Sequence, residues 1–200
     1  MTVLATTELE AVNIMLAAIG EAPVATLGVD TIEDAQIALS TLRQVSKELQ
    51  SKGWHFNTDY DYPLSVDGVT SKISYPTTAA HVDAMPSEDV DVVKRGSFLY
   101  NRTDRLLTFA GRTQLLCKIK WMFDFEDLPQ ALRVYIVLKA ARRFAEDVLG
   151  DEATVKWTER DEMDAKVEWV ADDLRQADHN MLRDSWSTSK IFLGRRSWLG

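Results

Sequence analysis

The residues in this sequence that come closest to a catalytic pattern are clustered aspartates and glutamates. They occur at Asp59/Asp61, at Glu88/Asp89/Asp91 and at Glu126/Asp127. Glycoside hydrolysis uses two such groups, one as an acid and the other as a base or nucleophile. With 31 acidic residues among 200, however, carboxylates also become neighbours by chance. A glycan hydrolase therefore stays open as an alternative function, and no catalytic residue is assigned.

Metal, nucleotide and thiol chemistry find little support in the sequence. The histidines His55, His81 and His179 lack the spacing of metal ligands, and neither a phosphate loop nor a dinucleotide fingerprint occurs. Cys117 lies in an apolar alternation, where a small buried hydrophobic side chain is the simplest interpretation. We therefore expect no metal, no cofactor and no enzymatic activity.

Charge is distributed unevenly along the chain. The balance of 23 basic and 31 acidic residues gives a net charge of −8, which argues against a protein whose whole surface coats nucleic acid or anionic lipid. Residues 151–184 alone hold 11 acidic and 5 basic residues, a net charge of −6. This stretch is either a solvated face that keeps the protein soluble or a negative rim that faces DNA or a basic partner.

Residues 186–200 are basic and aromatic, and we interpret them as a C-terminal arm. They include three cations and no acidic side chain. Aromatic residues combined with arginine are typical of the anchors of protein interfaces, so we expect a protein partner. A tail folded back onto its own body and an arm that binds nucleic acid are the alternatives. The candidate contact residues are Ile191, Phe192, Arg195, Arg196, Trp198 and Leu199.

Four stretches with apolar residues at helical spacing must form the framework of the protein. The first opens at Thr7 with a capping box to Glu10 and ends at Gly20, and the second spans about residues 31–52. The third is predicted to begin at Asp127 as its N-cap and to end at Gly150. The fourth spans about residues 151–180.

The fourth stretch carries one apolar stripe whose members alternate three and four residues apart. This spacing is typical of a coiled-coil seam and also of an ordinary bundle face, and we favour the bundle face because the repeat is short. The stripe consists of Met163, Val167, Val170, Leu174, Ala177 and Met181.

Between the second and third stretches the pattern changes to that of strands and turns. Residues 90–93 and 97–100 flank Lys94-Arg95-Gly96 and predict a hairpin, and residues 106–109 are predicted to pair with 115–121. The fold class is therefore α+β, an antiparallel bundle of about four helices with an inserted antiparallel β domain. We predict that residues 1–58 and 125–185 form the bundle, residues 59–124 the β domain and residues 186–200 the arm.

At several points the sequence resembles the tail tubular protein A family of short-tailed bacteriophages (podoviruses). The points of similarity follow one another in family order over almost the whole chain. The sequence departs from the family pattern at residues 65–89 and after Asp184. The points of similarity are Ala11-Val12-Asn13, Ile19-Gly20-Glu21, Pro23-Val24, Thr26-Leu27, Gly53-Trp54, Phe56, Arg95-Gly96, Tyr100 to Thr103, Glu126, Pro129, Arg133, Ile136-Val137, Lys139-Ala140, Arg142, Phe144 and Asn180-Met181-Leu182.

This resemblance implies a structural virion protein of the viral tail, an adaptor and gatekeeper that forms a twelve-fold ring. The ring would connect the portal protein to the nozzle, tail tubular protein B, and would surround the DNA channel. Genomic DNA would pass during ejection without specific binding. The protein would belong to the virion tail and assemble in the host cytoplasm. We expect no membrane contact, since no apolar run approaches the roughly 20 residues needed to cross a bilayer.

Two sets of contact residues follow as hypotheses. The arm residues named above would dock onto the portal, and Arg95, Gly96, Tyr100 and Arg102 on the hairpin would contact a neighbouring subunit or the nozzle. A glycan hydrolase carried in the tail and a DNA-binding protein are the alternative functions. DNA binding that weakens with salt would favour the latter.

Overall fold

A computed structural model describes residues 7–28, 32–150 and 152–177, with the side chains of the last helix described from residue 159 onwards. Its helices are α1 (Glu8–Ala18), α2 (Glu33–Ser51), α3 (Gln130–Leu149) and α4 (Glu152–Gln176). Its strands are β1 (Thr58–Ser65), β2 (Ala79–Ala84), β3 (Val92–Arg95), β4 (Phe98–Asn101) and β5 (Gln114–Trp121). The predicted α+β class is confirmed.

The helix ends match the sequence signals with one exception. The Thr7 hydroxyl accepts the Glu10 amide at 3.2 Å while the Thr7 amide donates to the Glu10 carboxylate at 3.3 Å, so the capping box is confirmed. Gly150 ends α3 with φ 60°, a conformation that favours glycine. The prediction of Asp127 as the N-cap of α3 is wrong. Asp127 belongs to a 3-10 turn (Phe125–Asp127), and Pro129 takes the cap position.

Helix α3 lies at the centre of the first hydrophobic core. It packs against α1 and α2 and also against α4. Ion pairs reinforce the contacts of α3 with α2 and with α4. Lys139 and Arg143 each bind Glu48 of α2, and Arg142 binds Glu162 of α4. The fully buried large side chains of this core are Met15, Leu16, Leu42, Leu49, Leu132, Ile136, Phe144 and Trp169.

The assignment of the apolar stripe of α4 to the bundle face is wrong. Met163, Val167 and Leu174 are 59%, 62% and 55% exposed, whereas Ala165 and Trp169 are buried. Trp169 follows Met163 by six positions, which is about 240° around the helix, so the two side chains lie on different faces of α4. Because burying the larger indole releases more free energy, α4 turns the face of Trp169 inward and the stripe outward. Val170 is partly buried at the margin, and Met181 lies outside the described residues.

Three antiparallel strands form the larger sheet in the order β1-β5-β2. The predicted pairing of residues 106–109 with β5 is wrong, because β1 and β2 occupy both edges of β5. Leu106 makes only an isolated bridge to Asn101, and Phe109 is buried in a loop. The alternation along β5 is confirmed, with Leu115, Cys117 and Ile119 facing a second hydrophobic core.

The predicted hairpin is confirmed as β3 and β4, with a shorter turn than expected. Lys94 and Arg95 belong to β3, so the connection consists of Gly96 and Ser97. Gly96 has φ 61°, as a tight two-residue turn requires.

Buried amides join the two ends of the β region to α2. Asn57 donates to the carbonyls of Gln50 (2.9 Å) and Trp121 (2.8 Å). The Gln50 side chain bonds both backbone groups of Phe123, at 3.1 and 2.8 Å. The two cores and this junction are compatible with an inserted β domain, and its boundaries at residues 59–124 stay a prediction. None of the helices in the described part of the chain combines the length and apolarity of a membrane span.

Candidate interaction surface

Four side chains on and beside the β3–β4 hairpin form a basic patch, which we call the arginine patch. They are Arg95, Tyr100, Arg102 and Arg105, and they line a shallow hollow of about 380 Å³. The Arg95 guanidinium carbon lies 3.5 Å from the centre of the Tyr100 ring, a cation–π contact. The hairpin places them together, because Tyr100 is opposite Val93 and therefore diagonal to Arg95 on the same face.

The hairpin that presents the patch is held firmly to the rest of the β region. Leu99 is fully buried, and its amide donates to the Ile73 carbonyl at 2.9 Å. The Tyr75 amide donates to Ser97 at 2.9 Å on the same side. The arginines therefore project from a fixed support rather than from a free loop.

A closed loop brings Arg105 to the patch. Asn101 and Leu106 exchange both backbone hydrogen bonds, at 2.9 and 3.1 Å. The Asn101 side chain bonds Asp104 inside this loop, at 2.9 and 3.0 Å. Arg105 has φ 61°, which is uncommon for a residue other than glycine. Sequence reasoning missed Arg105; the Asn101-to-Asp104 spacing, typical of a side-chain-capped turn, is the signal that would have found it.

The arginine patch retains positive charge after its internal partners are considered. Arg102 pairs with Asp91 at 2.9 Å, and both side chains are more than half exposed. Two lysines extend the basic area. The Nζ atom of Lys94 lies 4.4 Å from the ring centre of Tyr75, and the Nζ atom of Lys72 lies 5.1 Å from the ring centre of Phe98. Arginine binds carboxylates and phosphates in a bidentate manner and stacks on aromatic rings. The side chains of this surface have the chemistry to bind an anionic or aromatic partner.

Some of the candidate hydrolytic carboxylates, among them Asp59 and Glu88, are engaged in structural contacts. Asp59 accepts the Trp121 indole N–H at 2.7 Å. Glu88 accepts the Leu116 amide at 3.1 Å and pairs with Arg112. Asp61 is exposed at the bulge of β1, and Asp127 lies in the turn before α3. The described ranges contain no group of three or more His, Cys, Asp or Glu side chains placed to hold a metal.

Cys117 is buried in the second core, as its sequence position predicts. Burial raises the pKa of its thiol to about 12, and the nearby negative charges of Glu88 and Asp83 act in the same direction. A thiol with such a pKa is protonated at neutral pH and is a poor nucleophile.

The structure brings together part of the sequence-predicted contact set. Arg95, Tyr100 and Arg102 converge on the arginine patch, with Gly96 supplying the turn. The other set, the arm residues Ile191, Phe192, Arg195, Arg196, Trp198 and Leu199, lies outside the described residues.

Comparison with protein families gives one finding. A family model described as a tail tubular protein matches residues 9–179 of the chain. The match begins at the second residue of α1 and covers the other helices and strands of the described residues, including the hairpin. A comparison with curated proteins gives no match.

Proposed function

Since this chain belongs to the tail tubular protein family of phages, we propose that it is the adaptor and gatekeeper ring protein of a podovirus tail. A structural component of a phage tail is what family membership establishes. The finer role is our proposal: twelve copies form a ring that connects the portal protein to the nozzle, tail tubular protein B, and surrounds the DNA channel. Membership of a structural family also favours a non-enzymatic role.

The arginine patch is the observation that carries the proposal. The whole chain is acidic, yet three arginines and a tyrosine converge on an exposed hairpin whose own core does not need them. In a protein built for assembly, such a patch supplies one side of an interface. A ring also requires heterologous contacts, in which each copy uses two different surfaces. The arginine patch contacts either the neighbouring subunit or the nozzle.

The negative net charge of the chain supports the proposal that the ring surrounds a channel through which DNA passes. Attraction to phosphates grows with each cation that neutralises one, so a channel must not be lined with cations if DNA is to slide through it. The net charge of −8, with −6 in residues 151–184, is compatible with an acidic lining. The arginine patch would then face away from the channel, towards protein.

The portal end of the adaptor is assigned to the arm. Residues 186–200 combine aromatic and aliphatic side chains with three cations, the composition of an interface anchor. Deleting the chain after Ser185 should abolish portal binding in a pull-down, while the shortened chain still unfolds cooperatively on heating. Normal portal binding by this deletion would contradict the assignment.

The role of the hairpin can be tested with one charge reversal. Arg95→Glu removes the cation over Tyr100 and places an anion within the arginine patch, so we expect it to prevent either ring or nozzle assembly. Lys118→Glu is a matched control, because Lys118 also lies over a tyrosine, Tyr60, at 4.8 Å, but on the three-stranded sheet. Electron microscopy of chain mixed with portal and nozzle proteins distinguishes a missing ring from a ring without nozzle. Full assembly by Arg95→Glu would contradict the role proposed for the patch.

A further inference from the structure

Helix α4 leaves an apolar stripe exposed on the side away from its own bundle. Met163, Val167 and Leu174 are all more than half exposed, although they repeat with the spacing of a packed helix face. The α4 stripe, defined by these three residues, is flanked on one side by exposed Asp164 and Glu168. Helices of stable proteins normally bury such a row, so this one is suited to a partner.

A groove along α2 has the complementary character. It encloses about 770 Å³, and its apolar lining includes Leu27, Ala35 and Leu39. Among the described residues that line it, every charged side chain is basic, namely Arg43 and Lys47. Arg43 shares its charge with Glu8 through bonds of 2.9 and 2.8 Å, whereas Lys47 is exposed beside the groove. We call this feature the α2 groove.

The α4 stripe and the α2 groove lie on different sides of one subunit. Glu48 marks the side of α2 that faces α3, because it binds Lys139 and Arg143 there. Arg43, which lines the groove, is about 140° around α2 from Glu48. Helix α4 joins α3 separately, through Arg142 and Glu162. With α3 between them, the two surfaces are placed to meet in neighbouring copies.

We propose that the α4 stripe of one copy packs into the α2 groove of the next copy. The apolar row fills the apolar lining, and Asp164 or Glu168 meets Lys47 at the rim. Two different surfaces on separate sides of each copy give a heterologous contact, the kind that repeats around a ring. This inference rests on the proposed ring function and names the surfaces that close the ring.

A cysteine pair tests this contact directly. Chains carrying Val167→Cys and chains carrying Ser40→Cys, distinguished by tags of different size, are mixed with portal protein and oxidised. The mixed disulfide dimer should form, because Val167 belongs to the α4 stripe and Ser40 lines the α2 groove. Val69→Cys is the control partner in place of Ser40→Cys; Val69 is 94% exposed on the β region and should give no mixed dimer. The native Cys117 is buried and does not compete.

Charge insertion provides the second test. Val167→Glu should eliminate the multi-copy assembly seen by native mass spectrometry, while Val69→Glu should retain it. Circular dichroism of both variants verifies that they fold, as exposed positions allow. An intact assembly with Val167→Glu, together with no mixed disulfide, would overturn the proposed contact while leaving the ring function standing.

Different results contradict the ring function and the proposed contact between copies. If the unsubstituted chain forms no multi-copy assembly with portal protein, the ring function itself is wrong. If residues 178–200 of the same chain cover the stripe, Val167→Glu lowers the melting temperature of the isolated chain and the mixed disulfide is absent. That result also overturns the proposed contact.

Discussion

Replacing Trp169 with alanine should be among the most destabilising single substitutions in the helical bundle. The indole is fully buried and meets two aromatic rings edge-on, Trp54 at 5.2 Å and Phe56 at 5.7 Å between ring centres. Both partners lie just after α2, so Trp169 joins α4 to the junction with the β region. Its loss therefore weakens a contact between elements rather than a local turn.

The loss of stability in Trp169→Ala depends on the side-chain volume removed and on the aromatic partners left without a contact. Truncating a buried tryptophan to alanine costs about 3–5 kcal/mol, which includes the cavity that the surrounding groups cannot close. Edge-to-face aromatic pairs contribute about 0.5–1.5 kcal/mol of such a total. Since domains of this size are stable by about 5–15 kcal/mol, Trp169→Ala should remove about a fifth or more of the free energy of unfolding.

Urea denaturation followed by circular dichroism measures this cost against a matched control. Met163→Ala also shortens a large apolar side chain on α4, but Met163 is 59% exposed, so the free energy of unfolding should change by about 0.5 kcal/mol or less. The difference between the two variants reports which face of α4 is buried. A cost for Met163→Ala equal to that of Trp169→Ala would refute the orientation of the helix.

Three further predictions concern the junction, an ion-pair cluster and the thiol. Asn57→Ala should lower the free energy of unfolding by about 2–4 kcal/mol in urea denaturation, because it leaves the Gln50 and Trp121 carbonyls without their buried donor; a loss under about 1 kcal/mol would contradict the junction. Hydrogen bonds from Lys139 and Arg143 lower the pKa of Glu48, so its contribution is present above the unfolded pKa of about 4.5 and is lost as pH falls through the lower folded value. Glu48→Gln should accordingly lower the melting temperature at pH 7 but not at pH 2, and an equal decrease at both pH values would argue against it. Cys117 should react with a thiol reagent at pH 8 much more slowly in the native protein than in urea, since its pKa is raised to about 12; equal rates would show that the thiol is not buried.

Local signals in the sequence predicted most of the elements and their ends. The capping box at Thr7, the glycine after α3 and the alternation along β5 each depend on residues close together in the chain. Such patterns report backbone conformation within a few residues, and the structure confirms them. The hairpin belongs to the same class, with only its turn shortened.

Apart from the N-cap assigned to Asp127, the predictions that failed depend on contacts between distant parts of the chain. Periodicity identified one apolar row on α4 and assigned it to the buried face. It missed the face that is buried because Trp169 acts through Trp54 and Phe56, more than 100 positions earlier. The partner of β5 was misassigned because β1 is exposed along most of its length and has no clear alternation. Strand pairing between β1 and β5 therefore left little trace in the local pattern.

The difference between local sequence patterns and other contacts also explains why the sequence predicted only part of the arginine patch. Arg95, Tyr100 and Arg102 share a hairpin, so the pattern of the strands predicts their proximity. Arg105 joins them because Asn101 and Leu106 close a loop with φ 61° at Arg105, which depends on hydrogen bonds rather than periodicity. The exposed α4 stripe is likewise recognisable only once Trp169 is seen to be buried.

Native mass spectrometry of the full chain mixed with portal protein tests whether the chain forms an adaptor ring. We expect a stable complex that contains twelve copies of this chain on the portal. A mixture in which the chain stays separate from the portal, or binds it without forming a closed set of copies, would contradict the proposed adaptor ring.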